Sequence, residues 1–439
     1  MNKSRLVPIH FKSGKDEDFE SQLGILKELL FEEVDVLEPV VLGESLPEAD
    51  GVVFPQLLGD AYSQVEALQL IQLPKLVITS EFGTVSMWDW EIIDYMRSKG
   101  VELLSAPSLD ETKILCRALS LKRELKKAYF MVYQDNPGEG FQAPIFKRFY
   151  WWEDECTQRI FGKFGIQIIK KSYRDLASRA CSITDEQAKE AFEKRKVNAV
   201  GLSERAILSA VKQYLVLKQE LQHYPKVVGV GINCLNESHF SDTTPCLAWN
   251  WLFEEQELIW GCEADTVSML TQYLLNKSLG APVMMTNLYP FEMGEAATKH
   301  EHIPGFPEVP NPEGYILAAH CGYLGVVPAS FSTQWALKPN VLSIVDDNAS
   351  AIDARLPEGD ITLVKLNAGM DKFSVAEAIL EKYVQFPNSH CLNGAMIKVA
   401  RARNLIDRLI SHHYIVVSGH HNASLHKLSK VWDVAIEEI

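Results

Sequence analysis

The sequence has no surplus of positive charge. Its 439 residues include 43 lysines and arginines against 58 aspartates and glutamates, a formal net charge of −15. Because proteins neutralise phosphates with a basic surplus, this balance argues against nucleic acid or an anionic membrane as the partner. No apolar run approaches the length of a membrane span, and Met1 to Phe11 has no signal-peptide core. We therefore expect a cytoplasmic protein.

The cysteines lack the spacing of a metal-binding or disulfide framework. No CxxC pair occurs among the eight cysteines. This absence argues against a cysteine-rich structural zinc site and favours reduced thiols, as in cytoplasmic proteins. The eight positions are Cys116, Cys156, Cys181, Cys234, Cys246, Cys262, Cys321 and Cys391.

Several catalytic motifs are also missing. Gly229-Val230-Gly231 is a fragment of a dinucleotide-binding loop, but the third glycine does not follow. No Walker lysine follows a glycine-rich loop, and no Gly-x-Ser-x-Gly nucleophile turn occurs. The sequence therefore does not favour nucleotide-dependent enzymes or serine hydrolases.

The apolar runs before about residue 282 follow a βαβ rhythm. Short buried strands such as Gly51–Phe54 and Lys75–Thr79 alternate with amphipathic helices such as Asp18–Phe31. This alternation predicts a parallel sheet covered by helices. The rhythm restarts near Lys127, after a long helix over Asp110–Lys126. We therefore expect two α/β domains, over residues 1–108 and 109–282.

Beyond about Pro282 the helical periodicity fades, and short β-like runs dominate between prolines and glycines. These runs are Val283–Met285, Gly314–Ala319, Val341–Val345 and Asp360–Leu366. They predict an antiparallel β-barrel domain over residues 283–439. A helix over Met396–Ser411, a strand over Tyr414–Ser418 and a last helix are expected to end it.

Oxygen and imidazole ligands stand at the ends of several predicted elements. Glu263 follows a predicted strand, and strand ends are where α/β sheets place ligands, although Glu263 or Asp265 could equally cap the next helix. His320 also ends a strand, where a structural role is the more common one. His420-His421 follow a strand through Ser418-Gly419, where helix capping is again an alternative. Carboxylates and imidazoles without a thiolate cluster suit Mn²⁺ or Mg²⁺.

Other histidines and aromatic residues have structural explanations as well. We expect His300-Glu301-His302 to lie in an exposed loop, and His412-His413 to end a helix, where imidazolium suits the dipole. Trp88 and Trp90 come just after the strand that ends at Thr79, which is a usual position for binding residues. Exposed tryptophans there would suit a sugar.

Taken together, these residues resemble the L-fucose isomerase and L-arabinose isomerase superfamily. The matching segments are Trp260–Asp265, Gly280–Asn287, Ile316–His320, Ala354–Leu363 and Ser418–His421, so the resemblance covers mainly residues 225–439. By this resemblance Glu263 corresponds to the family's first metal carboxylate, and Asn287 lies on the strand of the second. His320 corresponds to a metal histidine of the arabinose branch, and His421 to the histidine that completes the site.

The resemblance implies two Rossmann-like domains and a C-terminal barrel, assembled as a trimer or hexamer. It also implies Mn²⁺-dependent aldose–ketose isomerisation through an ene-diolate, in which two carboxylates shuttle the proton. The implied metal ligands are Glu263, Asn287, His320 and His421, and the implied catalytic residues are Glu263 and Asn287. The implied sugar-binding residues are His420 and Trp88. Trp88 would close the pocket of a neighbouring subunit.

Asn287 departs from the family pattern, which has aspartate or glutamate there. An amide can coordinate a cation through its carbonyl oxygen, but it cannot accept a proton. Glu263 alone, or another acid such as Glu237 or Asp265, would then be the base. We expect a metal-dependent sugar isomerase-like enzyme with altered chemistry. The alternatives are a catalytically inert sugar-binding or regulatory relative, and a metal-dependent epimerase or aldolase.

Overall fold

The computed structural model of the protein describes residues 2–12, 15–57, 60–135, 145–150, 152–234, 240–297, 305–342, 345–386 and 392–439. These residues divide between two units. The first unit consists of Met1–Lys126, Lys277–Leu279 and Ala423–Asp433, and the second of Lys127–Asn276, Gly280–Asn422 and Val434–Ile439. The domain limits expected at residues 108 and 282 stay predictions.

The first unit contains a parallel sheet, as the βαβ rhythm predicted. Its strands are β1 (Ser4–His10), β2 (Val34–Val36), β3 (Val40–Val41), β4 (Gly51–Phe54) and β5 (Lys75–Val77). They lie in the order β2-β1-β4-β5, with β3 paired to the end of β1, and every pair is parallel. All residues of β4 are buried, as expected for a parallel strand that is covered on both faces.

Helices lie between and after the strands of this sheet. They are α1 (Glu17–Leu29), α2 (Val65–Leu70), α3 (Trp90–Ser98) and α4 (Leu109–Leu125). Short 3-10 turns over Asp60–Ser63 and Met87–Asp89 precede α2 and α3. Between α3 and α4 the chain meets β5 only through a bridge between Leu104 and Leu76.

A second parallel sheet opens the second unit. Its strands are β6 (Tyr129–Tyr133), β7 (Gln167–Lys171), β8 (Val227–Ile232) and β9 (Ile259–Cys262), in the order β7-β6-β8-β9. The first sheet has the same topology when β3 is set aside. In both sheets the second strand of the sequence lies at one edge, and the first, third and fourth strands follow across the sheet. Gly261 in β9 allows close packing of the following helix, because a Cβ there would lie 2.5 Å from Met269 Cγ.

The helices that precede the barrel lie between and after the strands of this sheet. They are α5 (Phe146–Phe149), α6 (Asp154–Phe164), α7 (Tyr173–Cys181), α8 (Asp185–Glu193), α9 (Glu204–Gln222), α10 (Cys246–Gln256) and α11 (Thr266–Leu279). Among the helices that the structure describes, none combines the length and apolar character that a membrane crossing requires.

The remaining strands of the second unit form a closed antiparallel β-barrel and a separate hairpin. They are β10 (Val283–Pro290), β11 (Tyr315–Ala319), β12 (Gln334–Pro339), β13 (Ser350–Arg355), β14 (Gly359–Leu366), β15 (Lys372–Val384), β16 (Gly394–Lys398), β17 (His413–Ser418) and β18 (Ala435–Glu438). The barrel runs β14-β17-β10-β11-β16-β15 and closes through the pairing of β14 with β15. β18 adds to β15 in parallel, while β12 and β13 pair with each other. The expected C-terminal barrel is therefore confirmed.

Two local expectations in the barrel region are wrong. The helix predicted over Met396–Ser411 is replaced by the end of β16 and the short helix α12 (Ala402–Ile406). The apolar run at residues 395–397 suits either structure, and pairing with β11 and β15 makes it a strand. The run Val341–Val345 forms no strand among its described residues 341, 342 and 345.

The last helix, α13 (Asn422–Trp432), is confirmed, and from Ala423 onward it belongs to the first unit. Within that unit Lys427 forms an ion pair with Glu111 of α4, and Lys430 Nζ lies 2.5 Å from Glu102 Oε1. The chain then returns to the second unit as β18.

The barrel wall has no room for a side chain at Gly394. A Cβ there would lie 2.0 Å from the carbonyl oxygen of Ala318 in β11. We expect Gly394→Ala to lower the free energy of unfolding by about 1–3 kcal/mol, measured by chemical denaturation, because the wall must shift. The control is Gly162→Ala in α6, where a Cβ would meet nothing within 4 Å. A gain of about 0.5–1 kcal/mol is expected there, and equal effects of both substitutions would contradict the packing of β16.

Candidate metal centre

Polar residues gather at the carboxyl edge of the second parallel sheet. Gln134, Asn233 and Glu263 follow β6, β8 and β9, and the Asn233 amide donates a hydrogen bond to Gln134 Oε1 at 3.2 Å. The strand order reverses between β6 and β8. Open α/β sheets bind ligands at this edge, beside such a reversal. Glu263 therefore lies at a strand end, as the sequence predicted.

The turn after β9 separates two carboxylates. Glu263 and Ala264 have φ angles of 54° and 56°, a left-handed conformation that costs energy for residues with a side chain. The turn closes with a bond from Asp265 N–H to the Cys262 carbonyl at 3.1 Å. Asp265 then caps α11 by accepting from Ser268 N–H at 2.8 Å. The helix thus begins at Thr266, not at Glu263, and the Glu263 carboxylate makes other contacts.

The Glu263 carboxylate faces a phenol and an imidazole. Tyr150 donates its hydroxyl proton to Glu263 Oε2 at 2.9 Å, and His413 Nε2 lies 3.6 Å from Glu263 Oε1. His412 Nε2 lies 3.4 Å from the Tyr150 hydroxyl. One ligand atom from each of Glu263, His412 and His413 lies within 4.8 Å of the others, so this group could hold a metal ion.

His412 and His413 do not end a helix, contrary to the prediction. His412 precedes β17 and His413 is its first residue, because this segment pairs with β10 inside the barrel. His413 is completely buried, whereas His412 is exposed. Two histidines that begin an apolar strand were a signal for this site, but their meaning depends on the strand pairing.

Asp265 supports His413 from behind. The ring nitrogen Nδ1 of His413 lies 2.9 Å from Asp265 Oδ2, so a proton on Nδ1 is donated to the carboxylate and Nε2 is the nitrogen that faces Glu263. Metal-binding histidines are commonly oriented by a carboxylate in this way. Lys365 Nζ donates to the same Asp265 oxygen at 3.0 Å and to Ser268 Oγ at 2.6 Å. All these groups are buried.

Asn287 lies directly opposite His413 across β10 and β17. The neighbouring residues Leu288 and His412 share a backbone hydrogen bond of 3.0 Å, so Asn287 and His413 form a non-hydrogen-bonded pair. Such pairs have Cα atoms about 4.5 Å apart and side chains on the same face. The Asn287 amide nitrogen donates to the Tyr289 hydroxyl at 2.9 Å, which leaves Oδ1 as the available ligand.

His320 follows β11 on the other side of β10, and its ring centroid is 5.7 Å from that of His413. Within the described part of the chain, three buried atoms in this group have no hydrogen-bond partner: His320 Nε2, His413 Nε2 and Asn287 Oδ1. Buried polar atoms are rarely left in this state, because each loses its hydration without replacement. A cation bound between Glu263 and His413 would give His413 Nε2 a partner, and His320 Nε2 and Asn287 Oδ1 are further candidate ligands, so the residues fit a metal ion.

Electrostatics keeps the two carboxylates ionised. Burial alone would raise the pKa of Glu263, but the neighbouring imidazoles, His413 foremost, outweigh it and hold that pKa below its ordinary value. Burial is likewise outweighed for Asp265, whose pKa is lowered by the Lys365 ammonium and by His413. The same burial lowers the pKa of Lys365, and Asp265 opposes this change. Glu263 therefore offers a full negative charge to a cation.

A second group of metal-ligating atoms lies next to the first. Ligand atoms of Cys262, His320 and Cys321 are also within 4.8 Å of one another, and His320 Nδ1 is 3.0 Å from Cys321 Sγ. The hydrogen bond from Cys262 lowers the pKa of Cys321 to about 5 against the effect of burial, and the Cys321 charge raises the pKa of the buried His320 to about 9. The expected absence of clustered thiols is therefore wrong, because the cysteines converge in space from distant segments.

His421 and His420 lie at the other end of β17 from Glu263. The His421 N–H donates to Thr362 Oγ1 at 2.9 Å, and Thr362 is paired with Val417. From Val417 back to His413 the strand extends about 13 Å. His421 Nε2–H donates to the Ser418 carbonyl at 2.8 Å, while His420 Nε2–H donates to the Ala378 carbonyl at 3.2 Å. The expected joint ligation by Glu263 and His421 is therefore wrong, and His413 is the histidine beside Glu263.

The other predicted site residues lie elsewhere. Trp88 is in the first unit, in the 3-10 turn before α3, and is 73% exposed. Glu237 and His300-Glu301-His302 lie outside the described residues. Tyr150 belongs to the aromatic run Phe149-Tyr150-Trp151-Trp152, whose sequence suits stacking on a sugar and packing on a sheet equally well. Tyr150 follows α5 and is held by a bond from Thr266 Oγ1 to its carbonyl oxygen at 2.9 Å.

Comparison with models of known protein families found no match for this chain, and comparison with curated proteins found no significant relative. The fold and the site therefore define the protein only as a mixed α/β and β-barrel protein with residue groups that could hold a metal ion.

The buried Asp265 carboxylate makes stability depend on pH in a defined direction. Its pKa in the folded protein is below the ordinary 3.8, so the unfolded chain binds more protons in this range. The stability that Asp265 contributes is thus complete above about pH 5 and is lost as pH falls toward the folded pKa. We expect Asp265→Asn to flatten the fall of unfolding free energy below about pH 4, measured by denaturant melts at several pH values. An unchanged slope would contradict the assignment.

Proposed function

We propose that the protein is a metal-dependent sugar isomerase-like enzyme in which Glu263 and His413 bind a divalent cation. The main support is three buried atoms near Glu263 that have no hydrogen-bond partner among the described residues, namely His413 Nε2, His320 Nε2 and Asn287 Oδ1. These donors and one carboxylate suit a hard or borderline ion such as Mn²⁺ or Mg²⁺. The ligand set proposed from sequence is kept, except that His413 replaces His421.

The reaction class is aldose–ketose isomerisation of a small sugar. When bound, the cation would polarise the sugar carbonyl and help to orient the adjacent hydroxyl. The reaction moves a proton between neighbouring carbons through an ene-diolate. In this proposal Glu263 accepts the carbon-bound proton, and Tyr150 serves as a proton donor beside it. Burial and the Glu263 charge raise the pKa of Tyr150, which keeps the phenol protonated.

Two features favour a second candidate, a metal-dependent sugar-binding protein without turnover. Asn287 supplies no second carboxylate for proton transfer. The lowered pKa of Glu263 makes it a good metal ligand but a weak base, since an efficient general base has a pKa near the working pH. The first candidate accordingly implies slow turnover, or a substrate whose carbon-bound proton is unusually acidic.

The sugar class rests on the resemblance of residues 225–439 to the fucose and arabinose isomerases. The same resemblance supports a trimer or hexamer with two Rossmann-like domains in each chain. The exposed Trp88 side chain is the aromatic group that a neighbouring subunit would provide.

Metal binding distinguishes the two histidines at opposite ends of β17. We expect His413→Ala to weaken Mn²⁺ binding to the chelator-treated protein by at least about tenfold in titration calorimetry, because it removes a ligand. The matched control is His421→Ala, whose ring bonds to the Ser418 carbonyl and whose loss should leave Mn²⁺ affinity unchanged. Equal weakening by both substitutions would refute the proposed ligand set.

A sugar panel with Mn²⁺ separates the two candidate functions. If the protein is an isomerase, the wild type converts at least one sugar, and Glu263→Gln lowers kcat by at least about 100-fold, as for loss of a general base. Turnover that appears only in Asn287→Asp would instead support the sugar-binding candidate. Mn²⁺ binding without any sugar binding or turnover in the wild type would argue against both.

A further inference from the structure

Four free cysteines of the second unit come together beside His320. This thiol cluster consists of Cys234, Cys246, Cys262 and Cys321. The sulfurs of Cys234 and Cys262 are 3.3 Å apart, and the Cys262 and Cys321 side chains share a hydrogen bond. Cys246 interacts electrostatically with Cys234 and Cys321.

The members of the cluster come from separate elements. Cys234 follows β8, Cys246 begins α10, Cys262 ends β9 and Cys321 follows β11. Their convergence is therefore a product of tertiary structure. Cys321 has a φ of 53°, a conformation that is costly for a residue with a side chain. This conformation accompanies the 3.0 Å contact between the Cys321 sulfur and His320 Nδ1.

We propose that Cys234, Cys262, Cys321 and His320 Nδ1 form a second metal site, for a thiophilic ion of the Zn²⁺ class. Three sulfurs and one imidazole nitrogen are a common tetrahedral donor set for zinc. Each thiol releases its proton to solvent as its sulfur binds the ion. Apart from the shared ring of His320, this site is independent of the function proposed above, because its sulfur ligands take no part in that function.

Ligand atoms of Cys262, Cys321 and His320 already lie within 4.8 Å of one another, and Cys234 joins this group through its contact with Cys262. Bonds of about 2.3 Å from zinc to sulfur place tetrahedral sulfur ligands roughly 3.8 Å apart. The contact of 3.3 Å between Cys234 and Cys262 and the 3.0 Å contact between Cys321 and His320 must each widen by less than 1 Å. A disulfide between Cys234 and Cys262 would instead require the sulfurs to close to about 2.05 Å, and it would not explain the third thiol or the imidazole.

Ligand type separates the two sites chemically. Sulfur ligands select thiophilic ions, whereas Glu263 and Asn287 offer oxygen to a harder ion. His320 has one nitrogen for each site, since Nδ1 faces Cys321 while Nε2 is buried without a partner in the described part of the chain. A ring that binds an ion through both nitrogens would also release its remaining ring proton to solvent. An ion in the thiol cluster would therefore fix the orientation of the His320 ring, whose Nε2 belongs to the Glu263 group.

Cadmium reports directly on thiolate ligands. The reduced, chelator-treated full-length protein is titrated with Cd²⁺ while the near-ultraviolet thiolate-to-metal absorption is recorded. We expect one Cd²⁺ per chain, displaced by Zn²⁺, and loss of the absorption in Cys234→Ser and Cys321→Ser. The matched control is Cys116→Ser, a buried free cysteine of the first unit, which should keep the absorption. Glu263→Gln should also keep it, so failure of the proposed isomerase site is distinguishable from failure of this one.

A measurement on the wild-type protein removes any dependence on the folding of the variants. Alkylation followed by mass spectrometry should be slower at Cys234, Cys262 and Cys321 when Zn²⁺ is present, and unchanged at the exposed Cys181. The proposal is overturned if no thiolate absorption develops, or if the absorption survives in Cys234→Ser and Cys321→Ser. A disulfide between Cys234 and Cys262 with no bound ion would likewise overturn it, in favour of a redox pair.

Discussion

The buried Asp265 carboxylate connects three parts of the second unit. It caps α11, accepts a hydrogen bond from Lys365 of β14, and contacts Nδ1 of His413 at the start of β17. The parallel sheet supplies the carboxylate, and the barrel supplies both the ammonium and the imidazole. Burying any one of these charged groups alone would cost several kcal/mol. Each is tolerated because the others are present, and the position of the Glu263 group follows from that mutual dependence.

The parts of the site that the sequence predicted are those fixed by local order. Glu263 ends a short buried strand and His320 ends another, so their positions follow from apolar runs that can be recognised in the sequence. The barrel was likewise predicted from short β runs with prolines and glycines between them. Asn287 was recognised through the family resemblance, and its place on β10 agrees with that expectation.

The parts that were missed depend on pairing between distant segments. Residues 395–397 suit a helix or a strand by sequence alone, and their pairing with β11 and β15 makes them a strand. Because of this ambiguity, one long helix was predicted from Met396 to Ser411. His412-His413 were consequently assigned to a helix end, and His421 was chosen as the ligand. The thiol cluster was missed for the same reason, since CxxC spacing detects only cysteines that are close in sequence. Tyr150 carried no signal beyond an aromatic run.

Closure of the barrel has a further consequence for the identity of the ligand. Neighbouring residues on a strand point to opposite faces, so a slip of β17 by one residue would exchange His413 for His412 opposite Asn287. β17 is paired on one side with β10 and on the other with β14, and β14 is held in turn by β15. Such a slip would have to break both ladders at once. His412 and His413 are adjacent and have the same side chain. Hydrogen bonds between the backbones of barrel strands, and not the Glu263 or Asp265 carboxylates, therefore decide which of the two lies opposite Asn287.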